Sequence, residues 1–418
     1  TLQAQLYFIF HNEILINLLK FSKDLIFLFS FIVILFGIRK SIFLRKFYFS
    51  SLDKLISSFV LLVIVYTLIP LGEASFVSKI LYAKNLLIIA LVYFIGRNIK
   101  IDEKNYKSLT LIISFIFYFS FLFVFSEFIL SGHFHSKINF SNFNFHINEI
   151  EPQGNYGLSW TFESQGAKPR YAAFYSNPLE FSASLLLFLS YFLYYLFNRY
   201  KNFDYLPLLL VVICFYLSFS RATILAAILI ILFAFIINEK YKTFFQFIFF
   251  GLIISLLFYF SASKELKYLI IDTILFENTS SLGHLVEWIE GLISIAENPF
   301  GIGLAMSGNA NGVDQAIKVG GENQFIILGV QMGLLAILIY SIIIYLIIYK
   351  CIFVYKNSHS FDKHLSFIVS CTKFGLLLPL FTANAELYLF VSLSIWFLSG
   401  YLESKYINLK FEKNKSLY

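Results

Sequence analysis

Charged residues are scarce in this chain. Asp, Glu, Lys and Arg make up 14% of its 418 residues, where a soluble domain carries about 25%. So few polar groups cannot cover a folded surface in water, which excludes a large soluble core and leaves lipid as the solvent. What fills the chain instead is hydrophobic: 59% of residues, with 53 Phe and 27 Tyr suited to lipid-facing and interfacial positions. Cysteine is scarce too. Cys214, Cys351 and Cys371 lie in or beside apolar runs and form no CxxC, so neither a disulfide framework nor a zinc site is expected. His133 and His135 are a lone pair in a loop and read as solvated; with no other metal-ligand spacing, no metal and no cofactor are expected. There is no internal repeat, no low-complexity linker and no stretch that reads as a cleavable signal peptide. The net charge of +7 comes from basic residues placed between apolar runs, as topogenic charges are, so no nucleic-acid partner is expected.

Apolar runs long enough for a helix to cross a bilayer, or nearly so, lie near 25–38, 55–71, 78–96, 108–131, 181–197, 205–219, 222–237, 243–260, 324–349, 365–382 and 386–402. Residues 4–19 read as a further span or, because His11, Asn12 and Glu13 interrupt them, as an interfacial helix. The reading is an all-α polytopic membrane protein with about 11–12 transmembrane helices in a single membrane domain, 1–418. The segments 39–54, 97–107, 198–204, 238–242, 350–364 and 403–418 carry 20 of the 32 Lys and Arg. By the positive-inside rule they face the cytoplasm, and the Lys-rich end (Lys405, Lys410, Lys413, Lys415) reads as a solvated tail. The segments between them then face outward. Two are long, about 132–180 and 261–323, and connections of that length without function are uncommon.

The candidate chemistry sits in those outer segments. Arg170 precedes a helix start marked by Asn177-Pro178. It reads as a solvated loop charge, as a partner of Glu163 or Glu180, or as a ligand for an anion at the membrane surface. Arg221 stands in a very short outer turn between two apolar spans, where an Arg is costly unless it is paired or reaches water; it either snorkels or offers its planar fork to phosphate oxygens. The run from His284 to Ala296 has helical apolar spacing (Leu285, Ile289, Leu292, Ile293, Ala296) and predicts an amphipathic helix on the membrane surface, with Glu287, Glu290 and Glu297 on its acidic side. Pro299 ends it, and Gly301 and Gly303 read as a flexible turn. Glu322-Asn323 opens the next apolar helix, with Gly320-Gly321 allowing close backbone approach. Glu322 reads either as an acid favoured by the helix dipole or as a proton acceptor. Two Arg and several carboxylates beside lipid suit a lipid-linked diphosphate. The Arg would hold the leaving group, and a carboxylate or imidazole would take a proton from an acceptor hydroxyl.

At these residues the chain resembles the O-antigen ligase/polymerase superfamily. The matching pieces are Arg170 with Phe174–Pro178; Ser220-Arg221 with Leu225-Ala226; Gly283, Trp288, Pro299, Gly301 and Gly303; and Asn323 and Phe325 through Gly333. Together they cover about 165–340. The resemblance implies a GT-C-like glycosyltransferase, multi-pass in the bacterial inner membrane, with its active site on the periplasmic or outer side. It implies an undecaprenyl-diphosphate-linked oligosaccharide as substrate, membrane lipid as surroundings, and a chain-length regulator and a flippase as partners. Two positions depart from the pattern: His284 stands where the family has Arg, and Glu322 where the ligases have the His implied as base. The departure favours a polymerase of oligosaccharide repeat units over a ligase that moves glycan to lipid A–core. The expected roles are Glu322 and His284 in proton transfer and Arg170 and Arg221 on the diphosphate, supported by Asn177, Trp288, Glu287 and Asn323. A glycolipid flippase is the reading from another class; it would more often show repeats and broken helices at the midplane.

Overall fold

The computed structural model describes residues 9, 12–43, 48–148, 153–164, 168–198, 205–263, 267–268, 271, 275, 279–310, 313–314 and 316–415. It is all-α apart from one antiparallel pair of two-residue strands. In chain order the helices are α1 (Glu13–Phe43), α2 (Ser51–Leu68), α3 (Phe76–Asn98), α4 (Glu103–Ile129), α5 (Phe134–Lys137), α6 (Phe140–Asn148), α7 (Pro178–Phe197), α8 (Leu206–Ser218), α9 (Arg221–Ile237), α10 (Tyr241–Ser261), α11 (Thr279–Glu297), α12 (Gln324–Asn357), α13 (Ser360–Thr382) and α14 (Leu389–Lys415). The strands are β1 (Glu163–Ser164) and β2 (Lys168–Pro169). Of 4–19, read as a further span or interfacial helix, residues 13–19 form the start of α1 and most of 4–12 lies outside the described residues.

Every span expected from the sequence falls on a helix. Among the described residues, seven helices are both long and apolar enough to cross a membrane: α2, α3, α4, α7, α10, α12 and most of α13. The short ones are informative. α8 has 13 residues and α9 has 17, which at 1.5 Å rise reach about 20 and 26 Å, less than the roughly 30 Å hydrocarbon core. The helix starts follow local chemistry. Ser50 and Asp53 form a capping box on α2, and Asp102, Asn177 and Asn323 cap α4, α7 and α12. Pro178 occupies the first turn of α7, where its missing N–H costs nothing.

α7 is buried along nearly its whole length and forms the centre of the bundle with α13. α10 buries no residue and presents Phe, Leu and Ile all round, as a lipid-facing helix does. α3 and α14 cross in close contact because two glycines leave room: a Cβ on Gly96 would lie 1.9 Å from Phe397 O, and one on Gly400 would lie 2.0 Å from Tyr93 O. Small residues at such crossings let helices approach where lipid offers no hydrophobic drive.

Charges inside the bundle are paired. Lys373 Nζ lies 2.6 Å from Glu386 Oε1, and Glu386 also accepts from Ser392, Trp396 and Tyr340. A second pair joins α12 and α14, where Lys350 lies 2.7 Å from Glu403. The Lys-rich C-terminal segment departs from its reading as a solvated tail. α14 runs on as helix through Lys413, and Lys405 sits 3.0 Å from Asp362.

α12 is broken. Gly333, at φ 78°, interrupts its helical backbone, and the loop after α11 fills the break. Ile302 N donates to Val330 O (2.8 Å), Gly303 N to Gln331 O (3.2 Å) and Leu334 N to Pro299 O (2.9 Å). The Gln331 side chain accepts from Ala305 N and donates to Ser307 O. Gly301 and Gly303, read as a flexible turn, are held by these bonds. A Cβ on Gly303 would meet Leu71 O at 2.3 Å, so tight packing and positive φ require glycine there.

Gly96→Ile should prevent the α3–α14 crossing, because the nearest obstacle is backbone that cannot yield. Gly251→Ala on α10, where the added carbon meets nothing within 4 Å, should leave stability unchanged or raise it by up to about 1 kcal/mol. Detergent-purified protein checks this by thermal melting and size exclusion: Gly96→Ile is expected to aggregate and Gly251→Ala to match the parent.

Candidate active site on the outer loops

The broken helix positions the first half of the site. Because the loop after α11 is bonded into the break, α11 must run back along the first half of α12. The two helices touch where Gly291 meets Ile326 and Ile295 meets Gly329, and Trp288 packs beside Ile326 and Val330. The outward row Leu282, Val286, Ile289 and Ile293 stays exposed, as expected of an amphipathic helix against lipid. Two turns before Gly291, His284 Nδ1 lies against Glu322 Oε2. Both side chains keep access to solvent, at 29% and 31% exposure, so a substrate can reach them. Glu322 sits one residue outside α12. Asn323 is the N-cap, accepting from Phe325 N (2.9 Å) and Ile326 N (3.3 Å).

Glu287 lies one turn further along α11 and is half-buried. Burial raises its carboxyl above the usual range; Lys318 works against this, and the charges of Glu322 and Glu290 add to it. Lys318 Nζ lies 3.2 Å from Glu287 Oε1 and 2.9 Å from Asn309 Oδ1. It thereby ties the loop after α11 to that helix. Gly320 and Gly321 run closely over the same turn: a Cβ on Gly320 would fall 2.8 Å from Glu287 O, which is the close approach that the glycine pair predicted.

The second half is built on the short helices. α8 and α9 meet at Phe219, in left-handed conformation, and Ser220, which places Arg221 at the first position of α9. The segment before α7 docks on that corner, with Tyr171 N donating to Leu217 O at 3.2 Å. Arg170 is thereby brought near Arg221. Burial and the neighbouring Arg221 charge lower the Arg170 guanidinium to about 10. Arg170 pairs with neither carboxylate considered for it. Glu163 accepts from Asn155 N and Nδ2 (3.0 and 2.7 Å), and Glu180 accepts from Ser176. Among the described residues Arg170 has no ion-pair partner, and its Nε is buried without a hydrogen bond. Asn177 caps α7, its Oδ1 accepting from Glu180 N at 2.8 Å.

The structure thus brings together His284 with Glu322, and Arg170 with Arg221. Tyr388, just before α14, is acted on by the charges of both Glu180 and Glu322. Trp288 and Asn323 serve packing and capping.

The reading of His133 and His135 as solvated is corrected. They are 3% and 0% exposed, enclosed by Phe140, Tyr156, Phe162 and Tyr171. His135 Nε2 lies 2.7 Å from Tyr175 O, and Glu127, at the end of α4, accepts from Phe134 N (2.7 Å) and Ala173 N (3.0 Å). This knot fastens the Arg170 loop to the bundle. Sequence reasoning missed it, although a Glu close to the end of an apolar span is itself a signal. It missed Lys318 as well, since nothing in the spacing marks a lysine 31 residues from its partner. Among the described residues no group of His, Cys, Asp and Glu is arranged to hold a metal ion.

Burial lowers His133 to about 4 and His135 to about 3, against an ordinary 6.5. A lowered folded-state value means that the unfolded loop binds more protons below pH 6.5. Stability is therefore full above 6.5 and lost as pH falls towards the folded values. At pH 5.5 each histidine should cost about 1.4 kcal/mol; Glu127 beside them, raised to about 7 by burial, gains protons on folding in the same range and offsets part of that loss. Protease susceptibility of the 132–177 loop should rise between pH 7.5 and 5.5, and His133→Leu should shrink that rise. Equal susceptibility at both pH values would remove this account.

Comparison with curated proteins finds no match. Residues 206–341 match the family model described as O-antigen ligase. The matched stretch contains the α8–α9 corner with Arg221, the His284–Glu322 pair and the break at Gly333, and it ends inside α12. Over this stretch the chain, a multi-pass helical membrane protein, is similar to the O-antigen ligase family, in line with the resemblance read from its motifs.

Proposed function

We propose that this protein is a glycosyltransferase that joins undecaprenyl-diphosphate-linked oligosaccharide repeat units on the outer side of the bacterial inner membrane. The observation that carries the reading is the Arg170–Arg221 pair: two guanidinium groups held near each other, the first partly buried and with no carboxylate to neutralise it. Like charges brought together in a poorly solvated corner are costly unless an anion joins them. A diphosphate carries the charge and the oxygen geometry that two guanidinium forks match.

In this reading the anomeric carbon–oxygen bond to the diphosphate breaks as the acceptor hydroxyl oxygen bonds to that carbon. The departing diphosphate takes the electron pair and is stabilised by Arg170 and Arg221. The hydroxyl proton goes to the His284–Glu322 pair. With Glu322 on Nδ1, His284 presents Nε2 to the acceptor, and Glu322 stabilises the imidazolium that forms. Glu287 and Lys318 keep the Glu322 loop against α11. The single membrane domain, 1–418, supplies both halves.

Arg170→Ala and Arg221→Ala should each reduce polymer formation by about 10²–10³-fold, with Lys a poor replacement because it lacks the fork. His284→Ala should reduce it by about 10²–10⁴-fold. The measurement is the polysaccharide ladder of a deletion strain complemented with each variant at matched expression. Normal ladders from both Arg→Ala variants would sink the diphosphate clamp. A second reading, a ligase that transfers glycan to lipid A–core, is favoured by the description of the matched family. The deletion strain separates the two: core capped with a single repeat indicates a polymerase, and uncapped core a ligase.

A further inference from the structure

At the end of the bundle that the loop charges assign to the cytoplasm, away from the Arg170–Arg221 corner, lies a cavity of ≈ 700 Å³. Its wall comes from three places in the chain. Arg97 and Asn98 end α3 and lead through Ile99–Asp102 into α4. Ser404, Lys405 and Asn408 lie along α14. Tyr48 stands before α2. The lining is of two kinds. Ile101, Ile407 and Phe411 are apolar, and Tyr48 and Phe411 meet edge to face at 5.5 Å, both more than half or about half exposed at the rim. Arg97, Lys100 and Lys405 are cationic, and Asn98, Ser404 and Asn408 add amides and a hydroxyl.

Two of the three cations already have a carboxylate partner, Lys405 in Asp362 and Arg97 in Asp53, and a third carboxylate, Asp102, lines the cavity itself. Asp102 caps α4, accepting from Asn105 N at 2.7 Å. Asp362 is shared between Lys405 at 3.0 Å and Tyr401 OH at 2.6 Å. Asp53 accepts from Ser50 N and Tyr93 OH as well as from Arg97 Nε at 3.4 Å. Lys100 is exposed and has no carboxylate within ion-pair distance among the described residues. Arg97 is fixed rather than waving: its Nη2 donates to Tyr48 O at 3.3 Å and its side chain is 9% exposed. A fixed guanidinium, an unpaired ammonium and uncharged donors beside an apolar wall and interfacial aromatic rings form an amphiphilic receptor for an anion.

We propose that this cavity binds a phosphate-bearing group, namely the headgroup of an anionic lipid of the cytoplasmic leaflet. The phosphate lies among Arg97, Lys100 and Lys405, and the start of the acyl region lies on Ile101, Ile407 and Phe411. Basic pockets between helices on the cytoplasmic side suit such headgroups, and a phosphoglycerol fits the volume. The site is independent of the glycosyl-transfer reading, since none of its residues belongs to the outer loops. A bound headgroup would cross-link α3, α14 and the entry to α2, which is the end where the α3–α14 crossing begins.

Native mass spectrometry of the detergent-purified full chain tests the proposal. Dioleoylphosphatidylglycerol, dioleoylphosphatidylcholine and inorganic phosphate are each added to the parent protein, to Lys100→Glu and to Lys100→Arg. The parent should retain phosphatidylglycerol in preference to phosphatidylcholine. Lys100→Glu should lower that retention by about tenfold, and Lys100→Arg should keep it. Lys100 is exposed and unpaired, so neither variant should disturb folding, and a thermal melt of each verifies this. If inorganic phosphate binds with the same dependence on residue 100 while the lipid does not, the phosphate site stands and its source is soluble. Equal retention of both lipids together with no phosphate binding, or binding of either probe unchanged in Lys100→Glu, overturns the proposal.

Discussion

The break in α12 at Gly333 is the constraint from which the outer half of the molecule follows. Inside a membrane every backbone N–H and C=O must find a partner within the protein, and non-helical backbone is tolerated only where protein encloses it. A helix opened at Gly333 exposes groups that water cannot reach. The Pro299–Gly303 loop satisfies them with its own main chain, at Val330, Gln331 and Leu334. This fixes the loop, the loop fixes the direction of α11, and the direction of α11 brings His284 to Glu322. The contact between His284 and Glu322 is thus the distant consequence of one glycine with positive φ. The break is also why the molecule does not follow the pattern of a transporter with unwound helices around a midplane site: here the opening is filled by the protein's own chain.

The two arginines depend on a different device, helix length. Two full-length helices would carry their connecting turn out to the headgroups, where an Arg is solvated and carries no information. α8 and α9 are shorter than the hydrocarbon thickness, and their turn at Phe219–Ser220 sets Arg221 at the first position of α9. The Arg170 loop docks on that turn. It is held there by Tyr171 N donating to Leu217 O and Ala173 N donating to the Glu127 carboxylate, and by the buried histidines behind it. The energetic cost of placing two cations together is met by this scaffold; in the proposed reading that is the preorganisation of an electrostatic site.

How much of this could be read from the residues depended on range. Span positions followed from hydropathy. The helix starts at Asn177-Pro178 and Asn323 were legible because capping is local chemistry. So was the amphipathic helix around His284. What escaped was whatever depends on contact between distant segments. Gly301 and Gly303 looked flexible because the sequence cannot show Gln331 and Leu71 pressing on them. His133 and His135 looked solvated because the aromatic residues that enclose them, Tyr156, Phe162 and Tyr171, come later in the chain. Glu180 looked available to Arg170, yet Ser176 lies closer in both sequence and space. Lys373 and Glu386 stood in plain view as charges within predicted spans; their pairing required the fold.

The pairing of His284 with Glu322 also bears on the proton acceptor. Taken singly, neither residue is favoured: a carboxylate at a helix start is stabilised in its charged form and is a weak base, and an exposed histidine has no fixed orientation. Together each removes the other's defect. The carboxylate fixes one ring nitrogen and with it the tautomer, so the opposite nitrogen is basic and points away from α12. The imidazole in turn gives Glu322 a partner whose charge rises as the acceptor hydroxyl loses its proton. The residue replaced relative to the ligase pattern, Glu322 for His, and the residue replaced relative to the family loop, His284 for Arg, are the two halves of one contact. In this reading the imidazole has not been lost from the site but moved across it, from the start of α12 to the facing turn of α11.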